Sequence, residues 1–389
     1  MSKAQIENII SPKIIRMGGG VVNEVGDICR QLGLYTPLVI TDKTLVQLGH
    51  VNQLTEVLTK SNLEWSIFDK TIPEPSETCL NSALKIFKSG AYDCVIGFGG
   101  GSCLDIAKAT SAMMVNIGRI RDYKHPQQIN KTGVPIILIP TTGGTGSELT
   151  KWCVISDSKR HEKYNLSGLA LVATAAIIDW KFSLTKPPRT TADTGIDSLT
   201  HAIEAFISKK SSNFSDDLAL RAIPLITNNI EKAFKNPNDP IAREGLMRGA
   251  SIAGMAFSNS SVALVHGMSR PIGANFHIAH GLSNAMLLVE VTNFSIEYAR
   301  RRYAECAKVA GWANSNDSQS TACKKLLENL RRLEVNLNVP SLDRLGVNKS
   351  DYLKRLPAMA KQALQSGSPE NNPRIPTLED IITLYRAIW

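Results

Sequence analysis

Near residue 188 this 389-residue chain changes rhythm. Before that point, short apolar runs suited to buried strands alternate with stretches of helical spacing. A glycine-rich "MGGG" leads into helical "VVNEVGDICRQLG", apolar "PLVIT", helical "KTLVQLGHVNQLTEVLTKS" and "EWSIFD". The cycle repeats through helical "SETCLNSALKIFKSG", the strand "YDCVIGFGG", helical "CLDIAKATSAMMV" and the strand "VPIILIP". "LALVATAAIID" reads as a strand pair or as a strand and a turn. This alternation predicts βαβ units on a parallel sheet. Beyond it, "TADTGIDSLTHAIEAFIS", "SDDLALRAIPLITNNIEKAFK" and "PIAREGLMRGASIAGMAFSNSSVALVHGM" keep a helical period with no convincing strand. Cores seldom exceed about 250 to 300 residues, so two domains are expected. They are an α/β domain over residues 1–187 and an all-α domain over 188–389, with Pro187 and Pro188 marking the changeover.

Composition narrows the function classes. Hydrophobic content of 43 % with 20 % charged residues is ordinary for a globular protein. No apolar run reaches the roughly 18 to 20 residues of a membrane span, and the charge-interrupted N-terminal segment lacks a signal-like core. The expected location is the cytoplasm. The seven cysteines (29, 79, 94, 103, 153, 306 and 323) form no CxxC pair, which suits reduced thiols better than a disulfide framework or a thiolate metal site. A net charge of +9 is spread along the chain, with only short groups such as "ARRRYAECAK", and aromatic residues do not interleave with it. Nucleic acid is therefore not an expected partner.

Three motifs can carry chemistry. In "GFGGGSCLD" a strand ends at Gly99, Gly100, Gly101 and Ser102 and a helix opens, which suits either a pyrophosphate site or a tight structural turn. Asp105, in the first turn of that helix, either complements the helix dipole or orders the glycine loop. "IPTTGGTGSE" has no phosphate-binding lysine. Its Thr141, Thr142 and Thr145 can donate to a cofactor or merely shape a turn. Asp42, just past a strand in "VITDKT", can accept from a ribose 2′-hydroxyl and repel a 2′-phosphate, or can cap the following helix. In "TGIDSLTHAIEAF", Asp197 and His201 are four residues apart on one helical face, as a surface pair or as two ligands of one ion. Three of the seven histidines, His266, His277 and His280, crowd into "HGMSRPIGANFHIAHG". One carboxylate with imidazoles from a second helical region would suit a divalent first-row metal.

"GGGSCLDIAK", "PTTGGTGSE", "GIDSLTHAIEA" and "HGMSRPIGANFHIAHGLSNAMLL" together resemble, in order and spacing over nearly the whole chain, the iron-containing (group III) alcohol dehydrogenases. That resemblance implies a Rossmann-like N-terminal domain and a helical C-terminal domain in the architecture of dehydroquinate synthase, with the reaction in the cleft between them. It places metal ligands at Asp197, His201, His266 and His280. The ribose carboxylate falls at Asp42, the pyrophosphate loop at Gly99–Ser102, and further cofactor contacts at Thr141, Thr142, Thr145 and Lys163. It implies NAD and a divalent metal, Fe²⁺ before Zn²⁺. The reaction is hydride exchange between the nicotinamide and a small primary alcohol, diol or matching aldehyde, with the metal as Lewis acid. A homo-oligomer of two or more copies is the expected assembly.

The chain departs from the family pattern at two places. Many members read HGMxHP where this chain has Arg270, and "PNP" where it has "IPEP" with Glu74. An arginine cannot shuttle protons at usable pH. His277 is then the candidate catalytic histidine, with a structural role as the other reading. Arg270 either draws substrate anions into the pocket or turns aside to bond a phosphate, a carbonyl or an acidic neighbour. Glycerol dehydrogenase, hydroxy-acid dehydrogenase and a dehydroquinate synthase-like lyase are the alternative activities. The lyase needs basic residues for a phosphorylated substrate that these motifs do not supply.

Overall fold

The computed structural model describes residues 6–157 and 162–389, which separate into two compact units. One spans Ile10–Thr185; the other comprises Lys186–Trp389 together with the described residues that precede Ile10.

In the first unit the chain runs β1 (Ile14–Met17), α1 (Val25–Gln31), β2 (Pro37–Ile40), α2 (Lys43–Gln47), α3 (His50–Lys60), β3 (Ser66–Phe68) and α4 (Glu77–Ser89). It continues through β4 (Cys94–Gly99), α5 (Gly101–Met113), β5 (Ile136–Pro140), β6 (Trp152–Asp157), β7 (Glu162–Ser167) and β8 (Ala175–Ile178). Six strands form a parallel sheet in the order β1-β8-β5-β4-β2-β3. Strands β2, β4, β5 and β8 are buried on both faces, which explains their unbroken apolar runs. Alternate residues feed separate apolar layers: Leu38, Val95 and Leu138 join Leu80 and Leu104 on one side, and Val39, Ile96 and Ile137 join Val25 and Leu54 on the other. The chain reverses its direction of travel across the sheet between β2 and β4. In open α/β sheets that switch point is where a ligand crevice forms, beyond the carboxyl ends of the strands.

One expected element is different in the fold. The helix expected over "KTLVQLGHVNQLTEVLTKS" is two, α2 and α3, because Gly49 takes φ +75° and turns the chain. Of the two readings of "LALVATAAIID", the strand and turn is the one present: a turn at Leu169–Leu171 followed by one strand, β8. Two features went unanticipated. The edge strand β1 has a mixed pattern of partial exposure, and β6 and β7 form a separate antiparallel ribbon whose sequences "WCVISD" and "EKYNLS" mix polar with apolar residues.

The second unit is built from helices α6 (Pro188–Ile207), α7 (Asn213–Thr227), α8 (Ile230–Lys235), α9 (Pro240–Ser258), α10 (Leu264–Phe276), α11 (His280–Ser295), α12 (Arg300–Val309), α13 (Gln319–Asn336), α14 (Lys349–Gln365) and α15 (Leu378–Ala387), with no strand among the described residues. Pro188 is the first residue of α6, where its missing N–H costs nothing. From Thr191 onward nearly every residue of α6 is buried, and α7, α8, α9 and α11 pack around it. A helix enclosed on all sides has no solvent face on which to place polar residues without purpose, so its buried Asp197, His201 and Glu204 call for a reason. No helix of the described residues is long and apolar enough to cross a membrane.

Candidate metal centre and cofactor loops

Helix α6 brings Asp197, His201 and Glu204 onto one face at spacings of four and three residues. Asp197, His201 and His266 form a tight buried cluster in which each offers one donor atom within 4.8 Å of the others. Three imidazole Nε2 atoms surround a single oxygen, Oδ1 of Asp197: His266 at 3.5 Å, His280 at 3.7 Å and His201 at 3.9 Å. His280 leaves 42 % of its side chain exposed, so the fourth donor borders the accessible side of the cluster. His201 stacks between Phe257 and His266, each with ring centroids 4.4 Å away, which fixes its plane.

Other side chains turn these rings. Nδ1 of His266 lies 2.6 Å from Oε2 of Glu204, and Nδ1 of His280 lies 3.1 Å from Oγ of Ser269. With Nδ1 engaged, each ring presents Nε2 to Asp197. Glu204 also accepts from the backbone N–H groups of Ala263 at 2.8 Å and Val265 at 2.6 Å, so one carboxylate caps the start of α10 and orients His266 on its first turn. Asn284, four residues after His280, donates from Nδ2 to Oδ1 of Asp197 at 2.6 Å. Gly281 permits this arrangement, since a Cβ there would stand 2.2 Å from the Asp193 carbonyl oxygen of α6.

The electrostatics match the donor set. Burial pushes the Asp197 carboxyl up, but the surrounding His201, His280 and His266 outweigh burial and hold it well below the usual carboxylate range. Burial lowers the His266 imidazole, yet Glu204 and Asp197 together bring it above its ordinary value. One carboxylate oxygen and two imidazole nitrogens within 4.8 Å of one another, with the Nε2 of His280 3.7 Å from the same oxygen, form a donor set that fits a divalent first-row metal. Of the expected ligands, Asp197, His201 and His266 are in the tight cluster, and His280 reaches it through Asp197. His277 is not among these donors. It caps the end of α10 with φ +54° and is exposed. Arg270, also on α10, is half-buried and donates to Oγ of Ser368 at 3.0 Å.

In the first unit the expected cofactor residues follow the ends of β2, β4 and β5. The backbone N–H of Thr141 donates to the carbonyl of Gly99 at 2.9 Å, bringing the two loops side by side. Gly99 has φ +153°, and a Cβ there would meet Sγ of Cys103 at 2.6 Å; the side chains of Thr142 and Thr145 line the backbone of Gly100 and Gly101. Asp42 caps α2 by accepting from the N–H of Leu45 at 2.9 Å. Its other oxygen accepts from Sγ of Cys103 at 3.5 Å, which ties it to the glycine loop. Ser102 donates to the carbonyl of Pro73 in the "IPEP" turn at 2.6 Å. Lys163, on β7, is ion-paired with Glu74 of that same turn.

Asp105 is not a first-turn dipole residue. It lies deeper in α5, buried, and accepts from Oγ of Ser147 at 2.8 Å and from the N–H of Val154 at 2.9 Å. Next to it the fully buried Lys108 donates to the Ser147 carbonyl, the Thr150 carbonyl and the Trp152 carbonyl at 2.6, 3.0 and 2.8 Å. This pair clamps the threonine loop to α5. Glu204, Ser269, Asn284 and Lys108 were not singled out from the sequence. Glu204 had a readable signal, the α6 spacing that continues the Asp197–His201 face, and Asn284 had another, its place one turn after His280.

Residues 12–180 match a family described as iron-containing alcohol dehydrogenase, and residues 191–389 match the C-terminal part of the Fe-containing alcohol dehydrogenase family. The chain is 36 % identical to long-chain-alcohol dehydrogenase 1 of Geobacillus thermodenitrificans, over 99 % of this chain and 97 % of that one. It is 33 % identical to the NAD-dependent methanol dehydrogenase of Bacillus methanolicus, over 97 % and 99 %. Among solved structures, a 1,3-propanediol oxidoreductase superposes with a TM-score of 0.94 at 30 % identity, covering 99 % of this chain and all of that one.

Proposed function

The chain belongs to the iron-containing alcohol dehydrogenase family, and on that premise we propose that it interconverts small primary alcohols or diols and their aldehydes with NAD as hydride partner and a divalent metal at Asp197, His201, His266 and His280. The observation that carries this reading is the convergence of three imidazole Nε2 atoms on one buried carboxylate oxygen. When bound, the metal supplies Lewis acidity that lowers the pKa of an alcohol, and the nicotinamide supplies the hydride acceptor. The residues of the chain do the positioning. Glu204 and Ser269 hold the His266 and His280 rings with Nε2 outward, and Asn284 fixes Asp197. Loops after β4 and β5 offer backbone N–H groups and threonine hydroxyls to a dinucleotide, while Asp42 offers a carboxylate to its ribose, a charge that favours NAD over NADP. Iron is the proposed native metal, with zinc as the alternative that the same donors accept.

The test is a panel of short alcohols and diols with NAD and with NADP, using enzyme freed of metal and reloaded anaerobically with Fe²⁺ or Zn²⁺. NADH formation that requires the metal supports the proposal. A panel with no NADH formation under either metal refutes it.

A further inference from the structure

Arg270 is a half-buried cation on the helix that carries His266, and its surroundings are unusual. Among the described residues, the buried Lys108 and Arg243 are well supplied with partners. Lys108 has carbonyls on three residues, and Arg243 donates to the Pro237 and Lys186 carbonyls and to Oγ1 of Thr191. Among the described residues the Arg270 guanidinium, with five N–H donors, makes one hydrogen bond, to the neutral hydroxyl of Ser368. Among the described residues no carboxylate lies within ion-pair distance of it. The acid whose charge it feels is Glu204, and that carboxylate is already occupied by Ala263, Val265 and His266. A half-buried cation with no counter-ion and with N–H groups still open is placed to receive an anionic ligand.

Position gives that ligand its identity. Arg270 follows the metal donor His266 by four residues on α10, so the two side chains leave the same helix face on the order of 6 Å apart. Its charge also acts on His280, on the accessible side of the cluster. Resting on the dehydrogenase reading above, we infer that Arg270 is a specificity-determining residue that binds the carboxylate of a short ω-hydroxy acid or aldehyde-acid whose other end is at the metal donors. Burial lowers the guanidinium to about 10, which leaves it charged at neutral pH. A planar guanidinium pairs bidentately with a carboxylate, whereas a histidine at this position would offer no such fork.

The experiment compares metal-loaded wild type, Arg270→Gln and Arg270→Lys on 4-hydroxybutyrate and on 1-butanol with NAD. It also measures binding of butyrate calorimetrically, with butanamide as the uncharged control. In Arg270→Gln the ratio of kcat/KM for acid over alcohol falls by about tenfold or more, chiefly through KM for the acid, and butyrate affinity falls by a similar factor. Arg270→Lys, which keeps the charge and loses the fork, recovers part of both. Equal losses on the two substrates with butyrate binding intact overturn the inference, as does a wild type that oxidises 1-butanol and ignores 4-hydroxybutyrate. Absence of turnover on every alcohol instead refutes the dehydrogenase reading, and the butyrate measurement then decides the role of Arg270 separately.

Discussion

Replacing Glu204 by glutamine keeps the shape of the side chain and removes its charge, and the consequences can be worked from three contacts. The carboxylate receives hydrogen bonds from Ala263, Val265 and the Nδ1 of His266, all buried. A glutamine has one oxygen where the carboxylate has two, so its amide N–H₂ must face at least one of those donors. Hydrogen bonds to a charged partner are worth about 1.5 to 3 kcal/mol each, and a buried donor left unsatisfied costs about 1 to 3 kcal/mol. The expected loss of stability is therefore roughly 3 to 5 kcal/mol in the metal-free protein. A second effect reaches the metal, because the Glu204 contact selects the tautomer that presents Nε2 of His266. Removing such a partner typically weakens metal affinity by about 10- to 100-fold. Thermal unfolding with and without metal, together with competition against a chelator of known affinity, separates the two effects. A Glu204→Gln protein with wild-type metal affinity and unchanged Tm in both states would refute the reasoning.

Three further outcomes follow from contacts elsewhere in the fold. Asp42→Ser keeps a capping oxygen for Leu45 and removes the charge, so steady-state kinetics should show the preference for NAD over NADP narrowed by about tenfold, near 1.4 kcal/mol; Asp42→Ala should add a loss of about 1 kcal/mol in Tm-based stability from the missing cap. Lys108→Met strips the threonine loop of its clamp and leaves Asp105 buried without its cation, which should cost about 3 to 5 kcal/mol and weaken NADH binding in a fluorescence titration; an unchanged Tm would count against the clamp. Burial and the neighbouring Glu290 push the Glu334 carboxyl up to about 8, with Arg331 opposing them. Because the folded state holds that proton more tightly than the unfolded chain, stability should be full below the ordinary value near 4.5 and be lost as pH rises through about 8. Glu334→Gln should therefore be more stable than wild type by roughly 1 to 3 kcal/mol at alkaline pH, with the gap closing in acid, as followed by Tm across a pH series.

The architecture was readable where burial alone decides a residue's fate. Strands enclosed on both faces, such as β4 and β5, read as apolar runs, and α6 announced its chemistry because Asp197 and His201 share its helical face. Elements with mixed surroundings were harder. The ribbon of β6 and β7 lies outside the main sheet and carries lysine, glutamate and asparagine, so its pattern resembles a polar loop. Gly49 splits a continuous helical period with a single positive φ that periodicity cannot register. In the site, donor identities follow from residue type, whereas Glu204 acts through a contact with residue 266, 62 positions along the chain. Asp105 shows the same limit: its place near a helix start suggested a dipole role, but its partners are the distant Ser147 and Val154.

Metal-dependent hydride transfer at Asp197 and the histidines around it is the activity we propose for this chain. The most direct test measures bound iron and NADH formation from a short primary alcohol on the same samples of wild type and Asp197→Ala, each stripped of metal and then reloaded with Fe²⁺. Stripped wild type should be inactive, reloading should restore both iron content and turnover, and Asp197→Ala should regain neither while still binding NADH. Full turnover by stripped wild type, or by Asp197→Ala, would contradict this proposal.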